Sequence, residues 1–318
     1  MVLTFNGTAA LQMSSPAMSG KITSKSRQLS PKGLIAFDLD GTVWSSRIDG
    51  RLTPRVAAAF NAAHKVGYVL TVATGRPLGE LPIDFLNLPW MDWAICSSGA
   101  AVYRMKPFPQ GLGISSVEGR MDLRNAKPVM SALLTYDQIK EIFDLTSHFE
   151  VSYWVDTPSG YFIDAKDLPP SFSEFHERVG RIVDSVKQVP ELQNGAYKVS
   201  VHFANAKDRN DVQIAVEAED GNFDVANEGE ISLELSPKRT SKGAAALALC
   251  GLVGAKPGAS FAFGDSGNDI SFADTPLSFI AVSSAEKKVL DAADDVCPDV
   301  LHDGVAVWLE RHVFNNAG

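Results

Sequence analysis

The sequence predicts an α/β protein: a doubly wound parallel sheet with an inserted α+β domain. Three observations lead to this prediction. Short apolar runs alternate with helical patterns at both ends of the chain. Several of those runs end in an acidic or small polar cluster. The stretch between the two ends mixes strands and helices without strict alternation. With 318 residues, of which 45% are hydrophobic, the chain is long enough for about two domains.

The N-terminal half of the predicted sheet begins with the apolar run Leu34–Phe37, which has the composition of a buried strand. Thr53 is a helix N-cap that precedes a proline, and Gly67 is a natural helix stop, so the chain between them is predicted to be helical. Tyr68–Ala73 follows as a second strand, which gives a strand–helix–strand unit with a right-handed parallel crossover. Trp93–Cys96 is the predicted third strand.

The same alternation resumes near the C-terminus. Ser241 is the expected N-cap of a helix over 242–249. Ser260–Phe263 is predicted to be a strand that ends before an acidic cluster. Leu277–Val282 is a further strand, and a helix over 285–292 follows it.

The different character of the middle of the chain predicts an insert over 103–227, so the core consists of residues 31–102 and 228–318. The insert is long enough to bury a core of its own. Its predicted helices are Tyr136–Leu145, Phe172–Val186 and Ala206–Glu219. Its predicted strands are Val151–Val155, Tyr161–Ile163 and Tyr197–Phe203, with Ile231–Leu235 just beyond it.

Charge and cysteine usage exclude several classes of protein. The net charge of −9 argues against general nucleic-acid binding and polybasic membrane binding, and no apolar run is long enough to predict a membrane span. Three cysteines without CxxC spacing argue against a disulfide framework or a cysteine zinc site. They favour a reducing compartment, which predicts a cytoplasmic protein. Residues 1–30 are rich in Ser and have no acids, which predicts a disordered tail, with an organellar transit peptide as the alternative.

Carboxylates are concentrated at the ends of predicted strands. Asp38 and Asp40 follow the first strand, and Asp265 and Asp269 follow a strand near the C-terminus. Because ligands in open α/β sheets bind outside the carboxyl ends of strands, these side chains are expected to meet at one edge. Carboxylates that lie so close repel one another, and a hard divalent cation such as Mg²⁺ offsets that repulsion.

Candidate phosphate ligands accompany these acids. Lys242 opens a predicted helix, and the Thr74 hydroxyl and the Gly75 amide follow the second strand. Each feature alone has an ordinary explanation as a turn or a solvated side chain. Their joint occurrence beyond apolar strands indicates phosphoryl chemistry, in which positioning and charge neutralisation dominate and an aspartate can be the nucleophile.

Four segments resemble the sequence motifs of the haloacid dehalogenase superfamily of phosphohydrolases. They are Phe37–Thr42, Ala73–Pro77, Lys242–Gly243 and Phe263–Asp269. The spacing between Asp40 and Thr74 leaves no room for a domain, whereas 168 positions separate Thr74 from Lys242. A cap domain in that second interval marks type II, and the closing segment is similar to the Cof-like type IIB branch. The resemblance implies a Rossmann-like core with a type IIB cap.

The resemblance also implies an Mg²⁺-dependent phosphatase that hydrolyses a small phosphorylated metabolite, such as a sugar phosphate, through an aspartyl-phosphate. Asp38 would be the nucleophile and Asp40 the general acid and base. The residues that would hold the phosphoryl group are Thr74, Gly75, Lys242 and Asn268. The residues that would hold the metal are Asp38, Asp40 through its main-chain carbonyl, Asp265 and Asp269.

The resemblance has two departures and leaves two alternatives. This branch usually carries Asn where the chain has Ser98, and Asn–Ala where it has Ser284–Ala285. Neither position is the implied nucleophile or a metal ligand, so the departures concern hinge and substrate contacts. A phosphomutase on the same core, or a regulatory or binding protein that kept the fold, remains an alternative.

Overall fold

A computed structural model describes residues 3–4, 30–45, 47, 50–82, 85, 88–105, 127–167, 180–218, 222–227 and 230–314. The strands in these ranges are β1 (Leu3–Thr4), β2 (Gly33–Phe37), β3 (Tyr68–Ala73), β4 (Met91–Cys96), β5 (Ala101–Arg104), β6 (Met130–Ser131), β7 (Val151–Thr157), β8 (Gly160–Asp164), β9 (Gly180–Val183), β10 (Lys198–Phe203), β11 (Phe223–Asn227), β12 (Ser232–Pro237), β13 (Phe261–Gly264), β14 (Ser278–Val282) and β15 (Asp295–Cys297). The α-helices there are α1 (Pro54–Lys65), α2 (Tyr136–Leu145), α3 (Ala206–Ala218), α4 (Lys242–Val253), α5 (Lys287–Ala292) and α6 (Gly304–Leu309).

The strands form two sheets. The first has the order β1-β6-β5-β4-β3-β2-β13-β14-β15 and is parallel from β4 to β15. The second has the order β11-β12-β10-β7-β8-β9 and is antiparallel except for the pair β8–β9. This arrangement confirms the predicted α/β core with an α+β insert. Since β2 lies between β3 and β13, the chain returns to the middle of the first sheet after the insert.

The first crossover helix forms as its sequence predicts. The Thr53 hydroxyl accepts the amide of Val56 at 3.3 Å, and a proline occupies the first helical turn. Val56, Phe60 and Ala63 share the buried face. The ring of Phe60 stacks on Phe37 at the end of β2, with 4.3 Å between ring centroids. This packing fixes the central strand, which carries the first acidic cluster at its end.

Each sheet has its own hydrophobic core. Residues 34–37 of β2 are fully buried in the first core. The second core joins α2 to the strands of the second sheet, where Phe143 contacts Tyr153 edge to face at 4.7 Å. Among the described residues, no helix is both long and apolar enough to cross a bilayer.

One predicted helix is corrected by the structure. Within the helix predicted over Phe172–Val186, residues 172–179 lie outside the described residues, and Gly180–Val183 is strand β9. This strand pairs in parallel with β8. Hydrogen bonding at the edge of the sheet therefore outweighs the helical pattern of the sequence. Most of 1–30 also lies outside the described residues, but Leu3–Thr4 pairs with β6.

The sheets suggest different limits for the insert than the predicted 103–227. Strand β6 pairs with β5 in the first sheet, whereas β12 pairs with β10 and β11 in the second. Turn-forming residues mark the ends of elements, not the points where the chain passes from one core to another. We therefore propose that the insert comprises residues 132–237.

Candidate active site

The predicted site residues lie at the carboxyl edge of the first sheet. Asp38 follows β2, Thr74 follows β3 and Asp265 follows β13, and these three strands are neighbours. A cavity of about 250 Å³ opens at this edge. Its walls include six residues that the sequence nominated, namely Asp38, Asp40, Thr74, Gly75, Lys242 and Asn268. The other residues on its walls are Arg76, Pro77, Glu80, Trp154, Tyr161, Lys198, Glu234 and Ser266.

Lys242 joins two of the carboxylates. It is the first residue of α4, whose N-cap Ser241 accepts the amide of Ala244 at 3.1 Å. Its ammonium lies 2.7 Å from Asp38 Oδ1 and 2.8 Å from Asp269 Oδ1. Burial lowers the pKa of Lys242, but the charges of Asp269 and Asp38 outweigh it and raise the pKa above its ordinary value. The two carboxylates therefore favour the charged form of this buried lysine.

Three carboxylates form a cluster that is compatible with a divalent cation. One oxygen each from Asp38, Asp265 and Asp269 lies within 4.8 Å of the others. Burial and the charge of Asp269 raise the pKa of Asp38, against the opposing effect of Lys242, and burial raises the pKa of Asp265 to about 6. With three carboxylates beside one ammonium, full ionisation of the cluster is unfavourable here, and a divalent cation would offset that cost. Its donors are hard oxygens, which suit Mg²⁺.

The two carboxylates from the C-terminal half are oriented by further hydrogen bonds. Asp269 Oδ2 accepts the amides of Asp265 and Ser266, both at 3.1 Å. The Thr42 hydroxyl donates to Asp265 Oδ1 at 3.0 Å. Asn268 lies in the same 3₁₀ turn as Asp269, and its Oδ1 accepts the Ser266 hydroxyl at 2.9 Å. The acidic loop is therefore held by its own amides and by Thr42 from the segment after β2.

Asp40 has a different environment from the cluster. Its carboxylate is half-exposed and accepts two hydrogen bonds from Arg76, at 2.7 Å from Nε and 2.6 Å from Nη2. The Arg76 guanidinium also donates to the Glu80 carbonyl at 3.1 Å and lies 4.7 Å from the ring centroid of Trp44. The carboxylate that faces solvent is thus held in one orientation.

The segment Thr74–Gly75–Arg76, here called the Thr74 loop, is fixed by a turn that follows β4. The Ser98 amide donates to the Thr74 carbonyl and the Ser97 amide to the Arg76 carbonyl, both at 3.0 Å. The Arg76 amide donates to Thr74 Oγ1 at 3.2 Å. The loop that we expected to hold phosphate is therefore supported from below by the first sheet.

The second sheet completes the cavity with residues that we did not nominate from the sequence. Lys198 on β10 donates to the Gly75 carbonyl at 3.0 Å and forms a buried ion pair with Glu234 on β12. Trp154 on β7 and Tyr161 on β8 meet edge to face at 6.3 Å. A charged residue in a strand that is otherwise buried, as Glu234 is between two leucines, is the signal that could have indicated this wall. Arg76 lies within the segment Ala73–Pro77, but that segment alone does not indicate the contact with Asp40.

Comparison with protein families and with known proteins places the chain among hydrolases. The family model for haloacid dehalogenase-like hydrolases matches residues 35–309. YxeH of Bacillus subtilis, named provisionally as a phosphatase, is 25% identical over 272 residues, which cover 82% of this chain and 91% of YxeH. The pyridoxal phosphate phosphatase YbhA of Escherichia coli is 24% identical over 292 residues, which cover 88% of this chain and 98% of YbhA.

Solved structures share the fold. A haloacid dehalogenase-like hydrolase from B. subtilis superposes with a TM-score of 0.72 at 19% identity and covers 88% of this chain and 100% of its own. The subclass IIB sugar phosphatase BT4131 superposes with a TM-score of 0.71 at 18% identity and covers 87% of this chain and 98% of its own. The inserted second sheet is therefore part of a fold already seen in proteins of this type.

Proposed function

The chain belongs to the haloacid dehalogenase-like hydrolase family and is a phosphoric monoester hydrolase; from this premise we propose that it is an Mg²⁺-dependent phosphatase of a small phosphorylated metabolite. The observation that carries the proposal is the shared cavity. Asp38 lies there with Thr74, Lys242 and the acid–base candidate Asp40. Among the ion pairs of the described residues, Lys242 is the cation that contacts Asp38.

The first step transfers the phosphoryl group to Asp38. A carboxylate oxygen of Asp38 forms a bond to phosphorus as the bond from phosphorus to the ester oxygen breaks. Asp40, held by Arg76, gives its proton to the departing oxygen. Lys242, the Thr74 hydroxyl and the Gly75 amide hold the other phosphoryl oxygens, with Asn268 beside them. The product of this step is an aspartyl-phosphate and the free alcohol.

The second step restores the enzyme. Asp40, now ionised, accepts a proton from water as the water oxygen bonds to phosphorus and the bond to Asp38 breaks. Phosphate leaves, and both aspartates return to their starting states. The side chain of Asp40 is 49% accessible, so the attacking water can reach it.

The proposed metal ligands are the carboxylates of Asp38, Asp265 and Asp269, with the main-chain carbonyl of Asp40. A bound Mg²⁺ would neutralise these carboxylates and the charge of the phosphoryl group. The Asp40 carboxylate lies with Arg76, so we do not assign that side chain to the metal.

A sugar phosphate is the first substrate candidate. The cavity of about 250 Å³ suits a small leaving group, and aromatic side chains on its wall can cover a ring. One structural neighbour is named as a sugar phosphatase and one relative as a pyridoxal phosphate phosphatase. A screen should therefore include both hexose phosphates and pyridoxal phosphate.

Phosphate release from a panel of phosphorylated metabolites, with Mg²⁺ and the Asp38→Asn variant as control, tests the proposal. Turnover by the wild-type protein that the substitution abolishes would support it. No release from any compound, or equal release by the variant, would overturn it. Isomerised sugar phosphate without net release would indicate a phosphomutase, and binding without turnover a regulatory protein.

We further propose a reducing compartment, with the cytoplasm as the first candidate. Cys96, Cys250 and Cys297 are all buried and unbridged. A fluorescent fusion of residues 1–30 tests the alternative, because an organellar pattern would identify that segment as a transit peptide.

A further inference from the structure

Three consecutive carbonyl groups of the Thr74 loop accept hydrogen bonds, but not from the same part of the molecule. Those of Thr74 and Arg76 are bound by amides of the turn after β4. The middle one, of Gly75, is bound by the ammonium of Lys198 at 3.0 Å. Lys198 lies on β10 in the second sheet, so the insert contributes one of the three supports of this loop.

The bond from Lys198 fixes the orientation of one peptide group. In a planar trans peptide the carbonyl and the following amide point in opposite directions. The Gly75 carbonyl and the Arg76 amide belong to the same peptide. With the carbonyl directed at Lys198, the amide is directed to the opposite side, where Thr74 Oγ1 accepts it at 3.2 Å.

This amide determines what the Thr74 hydroxyl can do. A hydroxyl has one proton to donate and an oxygen that accepts. Because the oxygen of Thr74 accepts the Arg76 amide, its proton remains available for another acceptor. Thr74 as a whole residue is 1% exposed, and it lies on the wall of the cavity. Lys198 therefore influences the Thr74 hydroxyl in the cavity through the peptide between Gly75 and Arg76.

Lys198 is itself held by buried partners. Its residue is 4% exposed, and its ammonium forms an ion pair with Glu234, which is equally buried. Glu234 Oε2 in turn accepts the Ser98 hydroxyl at 2.9 Å. A buried ion pair is a weak source of stability compared with apolar packing, so its presence here calls for another explanation.

The opposite support of the loop is a strained turn. Ser97 and Ser98 have φ values of 51° and 55°, in the left-handed region that non-glycine residues rarely occupy. Strain of this kind persists where surrounding contacts enforce it, and it concentrates at functional sites. Here the Ser97 hydroxyl donates to Asp156 and the Ser98 hydroxyl to Glu234, both from the second sheet.

We propose that Lys198 is a positioning residue, which orients the Thr74 hydroxyl for the phosphoryl group by fixing the peptide between Gly75 and Arg76. Glu234 holds Lys198 in place. The phosphate-binding loop is then complete only when the second sheet is seated on the first. This inference rests on the proposed phosphatase function, and it assigns to the insert a role in binding the phosphoryl group.

Kinetics of Lys198→Met separate this role from contact with the leaving group. The experiment compares a sugar phosphate with p-nitrophenyl phosphate and measures inhibition by inorganic phosphate. Positioning predicts an equal loss of kcat/KM on both substrates, of about 10- to 100-fold, together with weaker phosphate inhibition. Lys198→Arg should recover part of the loss. A loss confined to the sugar phosphate, with phosphate inhibition unchanged, would overturn the proposal.

Hydrogen exchange of the substrate-free protein tests the same contact without turnover. Lys198→Met should speed exchange in a peptide that covers 71–80, which includes the Arg76 amide, and leave a peptide over Gly33–Phe37 unchanged. Lys187→Met is the matched control, because this lysine lies over the rings of Phe143 and Tyr153 within the insert. It should leave both peptides unchanged.

The exchange result also separates this inference from the proposed function. Unchanged exchange over 71–80 in Lys198→Met would overturn the inference even if the enzyme is a phosphatase. Faster exchange in every peptide would show a merely structural role and would overturn it as well. Absence of phosphate release by the wild-type protein would instead overturn the proposed function, whatever the exchange shows.

Discussion

The guanidinium of Arg76 holds the carboxylate of Asp40 through two parallel hydrogen bonds, of 2.7 Å from Nε and 2.6 Å from Nη2. Such a fork fixes the plane of the carboxylate as well as its position. Asp40 is the proposed acid and base, and it would otherwise be a half-exposed side chain with rotamer freedom. The pair therefore links the segment Ala73–Pro77 to the proposed chemistry of the segment Phe37–Thr42.

We expect Arg76→Lys to lower kcat by about 10- to 100-fold, because a lysine cannot make both bonds and general acid–base catalysis contributes about 10²- to 10⁴-fold. Steady-state kinetics measure the effect. Arg55→Lys is the control, since Arg55 makes the same two-bonded contact with Glu310 outside the cavity. Equal activity of Arg76→Lys and wild type would contradict the role given to Arg76.

Metal removal should abolish activity, and Mg²⁺ should raise the thermal unfolding temperature of the protein. The reason is the repulsion among Asp38, Asp265 and Asp269, which a cation relieves. Asp265→Asn should weaken the dependence of both quantities on Mg²⁺ concentration. Asp291→Asn, which removes an exposed acid that pairs with Lys287, should not. Full activity in the presence of a chelator would rule out this arrangement.

Gly41→Ala should reduce both activity and stability. Gly41 has a φ of 85°, and a Cβ there would lie 2.3 Å from Asp265 Oδ2. We expect the strained backbone alone to lower the free energy of unfolding by about 1–2 kcal/mol. We also expect a large loss of kcat, because the added Cβ would displace Asp265. Gly251→Ala is the control, because Gly251 lies within helix α4 and a Cβ there meets nothing within 4 Å. It should stabilise the protein slightly.

The pH dependence of stability should change in Asp156→Asn. Burial raises the pKa of Asp156 to about 6, against the opposing effects of Ser97 and Lys198. Because the folded state holds the proton more tightly than the unfolded state, the stabilising contribution is complete below about pH 4 and is lost as the pH rises through about 6.

Asparagine does not titrate, so the variant should gain stability relative to wild type between pH 4 and pH 8. The gain corresponds to roughly 3 kcal/mol for a shift of about two pKa units. Urea unfolding at the two pH values measures it. A difference between the two proteins that does not vary with pH would contradict the assigned shift.

Those parts of the fold that depend on local pattern could be predicted. The buried strand before Asp38 and the capped helix that begins at Lys242 are both visible as apolar runs with polar ends. Parallel neighbours then bring such ends to one edge of a sheet. The carboxylate cluster and Lys242 follow from this rule, and the family resemblance added the expected roles.

The contacts of the insert could not be predicted in the same way. Lys198 meets Gly75 across 123 positions, and Glu234 meets Ser98 across 136, so the sequence around each residue does not identify its partner. The strand Gly180–Val183 depends on hydrogen bonds to β8, which the helical pattern of its own residues does not encode. Position in the sheet, and not residue type, decides these features.

Trapping of the phosphorylated enzyme tests the central claim most directly. Wild-type protein and the Asp38→Asn variant are each mixed with Mg²⁺ and a phosphoester that the wild type hydrolyses. The reactions are then quenched, reduced with borohydride and analysed by peptide mass spectrometry. The account predicts a modified Asp38 in the wild type and neither modification nor turnover in the variant. Turnover by Asp38→Asn at the wild-type rate, or modification at another residue, would contradict it.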